Sequence, residues 1–358
     1  MIQTKTFENR REALRAAVRE RGLWGLLVTQ AANRFYLSGF ELHDTQCNET
    51  AGWLLVCADG RDTLITDPRY QVAAETALDP GKVFIYTGQR FAAVRSFLKG
   101  LEKPGGLGFE SKGLSVYEHA QLAQDLALAE ADGLVEKLRR CKDSDEVAAI
   151  RASNQLNHRL FRNLPRFLEP GRTEEEVAWD IERFFRENGA QSMAFPSIVA
   201  VGKNAALPHA IPGDTPIRHD ELVLVDTGCR VQNYCSDQTR TLWVGDEPSP
   251  RFARMLEQVK EAQLAAIKTL RPGLPLADAY LAARAVFEKH GVAEYFTHSL
   301  GHGVGLETHE APTLSSLSSG SLEPGMVVTV EPGLYYPQWG GARWEHMALI
   351  TGDGAEVL

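Results

Sequence analysis

"EPGRTEEEVAWDIERFFRENG", residues 169–189, returns as "RPGLPLADAYLAARAVFEKHG" at residues 271–291, with Pro170 over Pro272, Phe185 over Phe287 and Gly189 over Gly291. Each copy reads as a turn, an amphipathic helix and a glycine stop. The segments that follow correspond as well. "FPSIVAVGKNAALPH" (195–209) is matched by "YFTHSLGHGVGLETHE" (295–310), "ELVLVDTG" (221–228) by "EPGMVVTVEPG" (323–333), and "YCSDQTRTLWVG" (234–245) by "GARWEHMALITG" (341–352). Two copies are too few for a solenoid, so the repeat predicts a pseudo-twofold domain in which two helix-plus-hairpin units fold face to face.

In that register Asp226 falls near Glu331 and Asp237 near Glu345, so the fold would bring four carboxylates together. "ELVLVD" and "MVVTVE" are apolar, β-branched runs that read as buried strands ending in an acid. Asp237 and Glu345 each stand at the entrance to another strand. A buried ionised carboxylate is costly unless it is paired or bound to a cation. Arg240 and Arg343 can neutralise part of this charge, and divalent cations are the better candidate for the rest. "THSLGHGVGLETHEAP" (297–312) adds His298, His302 and His309 in a glycine-rich frame that permits close backbone approach. Oxygen-rich ligation with one imidazole suits Mn, Co or Zn at a pair of ions, whereas a structural zinc site would want thiolates. Cys229 and Cys235 lack a second cysteine pair and read as buried thiols in a hairpin. Two carboxylate-bridged ions can acidify a water, which is the chemistry of hydrolysis, with the histidines available to a developing oxyanion or a leaving amine.

The 358 residues exceed one core and predict two domains, 1–134 and 135–358. The first alternates strand-like stretches ("GLLVT", "GWLLVCADG", "DTLITD", "KVFIYTG", "GGLGFE") with helical spacing in "YQVAAETAL", "FAAVRSFLKGL" and "YEHAQLAQDLALAEA", the pattern of an α/β layer. After it, Asp143 or Ser144 is expected to cap a long helix with Asp145 and Glu146 in its first turn. A net charge of −9 argues against nucleic acid and against an anionic membrane surface. With no secretory signal, no apolar span and an odd cysteine count of five, the expectation is a cytoplasmic protein with reduced thiols.

The motifs "FPSIVAVGKNAALPH", "LVDTG", "SDQTRT", "HSLGHGVGLETHEAP", "EPGMVVTVEPG" and "GGARWEHMALIT" resemble, in order and spacing, the pita-bread metallopeptidases: aminopeptidase P, prolidase and methionine aminopeptidase, with creatinase as a metal-free relative. The first domain, with "NRFYLSGF", is similar to the creatinase-type N-terminal domain, which methionine aminopeptidases lack. The resemblance implies an α/β (α+β) chain with a pita-bread catalytic domain and a dinuclear site for two divalent ions, Mn foremost and Co or Zn next. It makes Asp237 and Glu345 bridging ligands, Asp226 a chelator of one ion, and His302 with Glu331 the completion of the other. By the same likeness Glu331 is the general base, His209 and His309 contact substrate and stabilise the tetrahedral intermediate, and His298 lines the proline-side pocket. Thr239 and Arg343 would support the ligands from behind. The implied substrates are peptides with proline second. Proline offers neither an amide N–H nor a freely extended backbone, so such substrates need a dedicated pocket. Relatives with this layout are commonly dimers, and His43 could reach a neighbour's site.

Two positions depart from the pattern. Prolidases usually carry an arginine just after "HE-x-P" for the carboxylate of a dipeptide. Here Thr313 stands there, which tilts the expectation toward aminopeptidase P over dipeptidase. His346 stands where aspartate usually follows the last glutamate. Creatinase-like hydrolysis and a non-catalytic peptide-binding module are the rival readings; both go with loss of ligands, and this chain keeps the full set.

Overall fold

The computed structural model describes residues 4–44 and 49–358, and these form two compact units, Met1–Arg139 and Arg140–Leu358. The first unit is built on a six-stranded mixed sheet in the order Val83–Ile85, Thr63–Thr66, Trp53–Cys57, Gly25–Val28, Leu107–Phe109, Leu128–Glu130. Gly25–Val28 and Trp53–Cys57 are buried along their whole length, as their unbroken apolar runs require. "NRFYLSGF" supplies most of the helix Ala31–Ser38, closed by Gly39 at φ 75°. His43 is exposed on this unit, and Cys47 lies outside the described residues.

One expectation fails here. The stretch 117–131 is not one helix: a capping box between Ser115 and Glu118 starts the helix Val116–Leu122, and Leu128–Glu130 is a strand. The alanine and leucine of "LALAE" favour helix, but parallel pairing of Leu128 with Leu107 and Glu130 with Phe109 overrides that weak propensity.

In the second unit the repeat is carried by backbone hydrogen bonds. Gly171 N–H donates to the Ile217 carbonyl and Ile217 N–H to Arg172; Gly273 N–H donates to Leu322 and Leu322 N–H to Leu274, all at 2.8–2.9 Å. The bridges Thr173–Pro216 and Pro275–Ser321 repeat likewise. The two helices so anchored, Glu174–Glu187 and Leu276–Lys289, bury equivalent residues. Val177, Ile181 and Phe185 pack with Val199, Val223 and Val225, while Ala279, Ala283 and Phe287 pack with Leu300, Val328 and Val330. Gly189 at φ 97° and Gly291 at φ 67° stop the helices in the left-handed region that glycine occupies without strain. A second helix joins each half: Ser144–Asn163, whose N-terminal amides are taken by Asp143 in a capping box with Glu146, and Pro250–Thr269, capped by Ser249.

Each half contributes an antiparallel sheet. One holds Ile198–Val201, Glu221–Thr227 and Gln238–Val244. The other centres on Gly301–Gly303, Val327–Val330 and His346–Ile350, flanked by Glu310–Leu314 and Ala355–Val357. Between Asp226 and Asp237 the chain makes the small hairpin Cys229–Val231 / Tyr234–Cys235, whose turn residues Gln232 (φ 52°) and Asn233 (φ 71°) both have the positive φ of a two-residue hairpin. Gly228 is required before it: a Cβ there would lie 1.8 Å from the Ser236 carbonyl oxygen. Among the described residues no helix is long and apolar enough to cross a membrane.

Candidate functional site

Strand geometry decides where the acids point. Asp226 lies opposite Thr239 in the antiparallel pair, Asp237 immediately precedes that partner strand, and Glu345 immediately precedes the strand His346–Ile350. Carboxylate oxygens of Asp226, Asp237 and Glu345 come within 4.8 Å of one another, and all three residues are buried. Alongside them Glu331 Oε1 is 3.2 Å from His302 Nε2, which is also 3.7 Å from Asp237 Oδ2. The four acids and His302 therefore converge from both repeat halves.

Their supports are specific. Thr239 Oγ1 donates to Glu345 Oε2 at 2.7 Å. Arg343 binds Asp226 Oδ2 through Nη2 (2.7 Å), Thr239 Oγ1 through Nε (3.0 Å) and the Tyr335 hydroxyl through Nη1 (2.7 Å). Thr329 Oγ1 donates to Glu331 Oε1 at 2.9 Å and accepts the His302 N–H. His302 Nδ1 lies 3.1 Å from the Gly303 carbonyl, so this nitrogen carries a proton, and Nε2 faces the acids. Arg240 donates to the backbone carbonyls of Thr239 and Glu345, and its charge interacts favourably with that of the Glu345 side chain.

The electrostatics are those of crowded acids. Burial, then Glu345, Asp226 and Glu331, pushes the Asp237 carboxyl far above its ordinary value. Burial and the acids around it do the same to Glu345, and burial raises Asp226 against the pull of Arg343. Glu331 is the exception: burial works to raise it, yet the hydrogen bond and charge of His302, with His298 and Arg343, bring it down to about 2. Asp226 Oδ1 and Glu345 Oε1 are buried without a hydrogen-bond partner among the described residues. Buried acceptors left unpaired in an acid cluster backed by one guanidinium are what a bound cation would satisfy, so the donor set fits metal.

A cavity of about 560 Å³ opens over the cluster, and His209, His298, His309, Thr313, Phe195 and Ile198 are among the residues on its walls. His209, His309 and Thr313 are exposed to it, and burial, with the neighbouring His302, lowers the His309 pKa. His298 differs from the expectation for a free imidazole. Arg343 can only donate to Tyr335, so the hydroxyl proton goes to His298 Nε2 (2.9 Å), and His298 Nδ1–H goes to the Ser299 carbonyl (2.7 Å). Both ring nitrogens are therefore engaged by neighbours within the fold. Tyr335 and Thr329 were not singled out from sequence. Thr329 had a signal, since it alternates with Glu331 along one strand face. Tyr335 had only the general need of a buried hydroxyl for a partner.

The repeat, the acid cluster and the cavity define a metallohydrolase of the two-halved pita-bread class. A model of metallopeptidase family M24 matches residues 148–352, a model of the creatinase/prolidase N-terminal domain matches residues 10–141, and the chain belongs to metallopeptidase family M24. It is 35% identical over 354 residues to the uncharacterized peptidase YqhT of Bacillus subtilis, covering 97% of this chain and 96% of that one. The Xaa-Pro dipeptidase from Bacillus anthracis superposes with a TM-score of 0.90 at 36% identity, over 98% of this chain and 97% of that chain. The X-Pro aminopeptidase from Thermotoga maritima does so with a TM-score of 0.84 at 30% identity, over 96% and 97%.

Proposed function

We propose that the protein hydrolyses the bond between an N-terminal residue and a following proline, with Asp226, Asp237, His302, Glu331 and Glu345 holding two divalent ions, Mn foremost. The observation that carries this reading is the convergence of four acids and one imidazole, two acid oxygens of which have no other partner. Ions held there supply Lewis acidity to the scissile carbonyl and to the attacking water. Glu331, whose Oε1 accepts from Thr329 Oγ1, is the proton acceptor at Oε2. His309 and His209, exposed on the cavity wall and free to turn an N–H outward, donate to the oxyanion that forms on the carbonyl. His298 gives the proline ring an apolar wall rather than a hydrogen bond, because its nitrogens are committed to Tyr335 and Ser299.

Thr313 favours action on peptides longer than two residues. Among the described residues lining the cavity Arg343 is the only arginine or lysine, and its nitrogens are engaged by Asp226, Thr239, Tyr335 and the Pro208 carbonyl. The second reading is a dipeptidase, favoured by the name of the Bacillus anthracis relative. The experiment compares Xaa-Pro with Xaa-Pro-Yaa-Zaa on Mn-loaded protein, wild type and Thr313→Arg. The expected result is a higher kcat/KM on the longer peptide in the wild type and a shift of about ten-fold toward the dipeptide in Thr313→Arg, the worth of one charge-assisted pair. Dipeptide preference in the wild type supports the second reading, and no release from either substrate rejects both.

A further inference from the structure

A second cavity, of about 320 Å³, lies on the other side of the strand Gln238–Val244 and shares no wall residue with the cavity over the acids. His158, Phe161 and Arg162 come to it from the helix Ser144–Asn163, Gln238 and Arg240 from the strand, and Trp344 from the segment before Glu345.

Its chemistry is cationic and flat-walled. The Arg240 guanidinium stands 4.4 Å from the centre of the Trp344 ring and 5.7 Å from that of Phe161, and Lys260 Nζ lies 3.9 Å from the same Trp344 ring. The hydrogen-bond partners of Arg240 are neutral: two backbone carbonyls, and His346 Nε2 at 2.7 Å. His346 must accept there, because Arg240 can only donate; its Nδ1–H then reaches Gln263 Oε1 at 3.2 Å. Gln238, 3% exposed, keeps its Oε1 buried without a hydrogen-bond partner among the described residues. Half a turn of this amide exchanges the oxygen for an N–H2 donor.

We propose that this cavity binds a small organic anion, a carboxylate or phosphate carried on a flat apolar body. Arg240 and Arg162 supply guanidinium donors suited to either anion, Phe161, Leu242 and Trp344 line the apolar side, and the Gln238 amide supplies a further donor. The volume accommodates a group the size of a substituted benzene ring.

The test titrates benzoate, phenyl phosphate and neutral benzamide calorimetrically into the full-length metal-loaded chain, wild type and Arg162→Glu, and repeats the titrations after chelation. Arg162 is exposed, so its replacement leaves the fold and the basal Xaa-Pro turnover unchanged. The expected result is saturable binding of benzoate or phenyl phosphate, at least ten-fold tighter than benzamide, weakened at least ten-fold by Arg162→Glu and retained after chelation. Absence of binding at millimolar concentration overturns the proposal. So does binding that ignores Arg162→Glu or vanishes on chelation, since that anion would sit at the acid cluster. The readout is heat of binding, so it stands apart from the success or failure of the peptidase reading.

Discussion

At the scale of single residues, Arg343 is the side chain on which the acid cluster depends most. It is buried, always charged, and reaches Asp226, Thr239 and Tyr335 with three different nitrogens, so Thr239 can turn its own proton to Glu345 and Tyr335 its proton to His298. Lysine keeps the charge but cannot serve three acceptors in a plane. Arg343→Lys is therefore expected to lower activity or metal affinity by about 10–100-fold with an unchanged far-ultraviolet circular dichroism spectrum, as loss of a partner behind a ligand does. Activity within about two-fold of wild type would contradict that role. The acids themselves were legible in the sequence, because an aspartate or glutamate closing an apolar β-branched run has few uses. The state of His298 was not: which protons its nitrogens carry follows from Tyr335, 37 residues away, and no spacing encodes that contact.

At the scale of elements, the duplication explains why the acids meet. The pairs Gly171–Ile217 and Gly273–Leu322 fix each helix against its own sheet, so the strand ends bearing Asp226 and Glu331 arrive in equivalent places. Phe185 and Phe287, both at 0% exposure, are the equivalent anchors of those helices. Truncation of either to alanine should cost about 3–5 kcal/mol of stability in urea unfolding, by loss of buried area and creation of a cavity. A cost under about 1 kcal/mol at one site only would show that the two halves are not held alike. The repeat was readable because proline, phenylalanine and glycine recur at helix start, core and stop. The strand Leu128–Glu130 was not readable, because its residues favour helix and only pairing with Leu107–Phe109 makes it a strand.

At the scale of the whole molecule, the two units differ in what their buried charge does. In the first, Glu110 accepts from the N–H groups of Thr29 and Gln30 and from the Asn33 amide, yet burial outweighs these bonds and holds its pKa up at about 7, against an ordinary 4.5. A folded pKa above the unfolded one means stability that is fully present below pH 4.5 and is lost as pH rises through about 7, on the order of 3 kcal/mol. Urea unfolding of wild type and Glu110→Gln between pH 4 and 8 should show the wild type losing that much relative to the variant across the window; a constant difference would remove Glu110 from the account. In the second unit Asp226, Asp237, Glu331 and Glu345 gather into one cluster, and the central claim is that this cluster binds metal for hydrolysis. The most direct measurement is the Mn content of chelator-stripped protein during reloading, followed together with release of the first residue from an Xaa-Pro peptide. The expected result is two ions per chain, with activity rising as they bind and both lost in Asp237→Asn. Full activity in the stripped protein, or no Mn bound by the wild type, would contradict the claim.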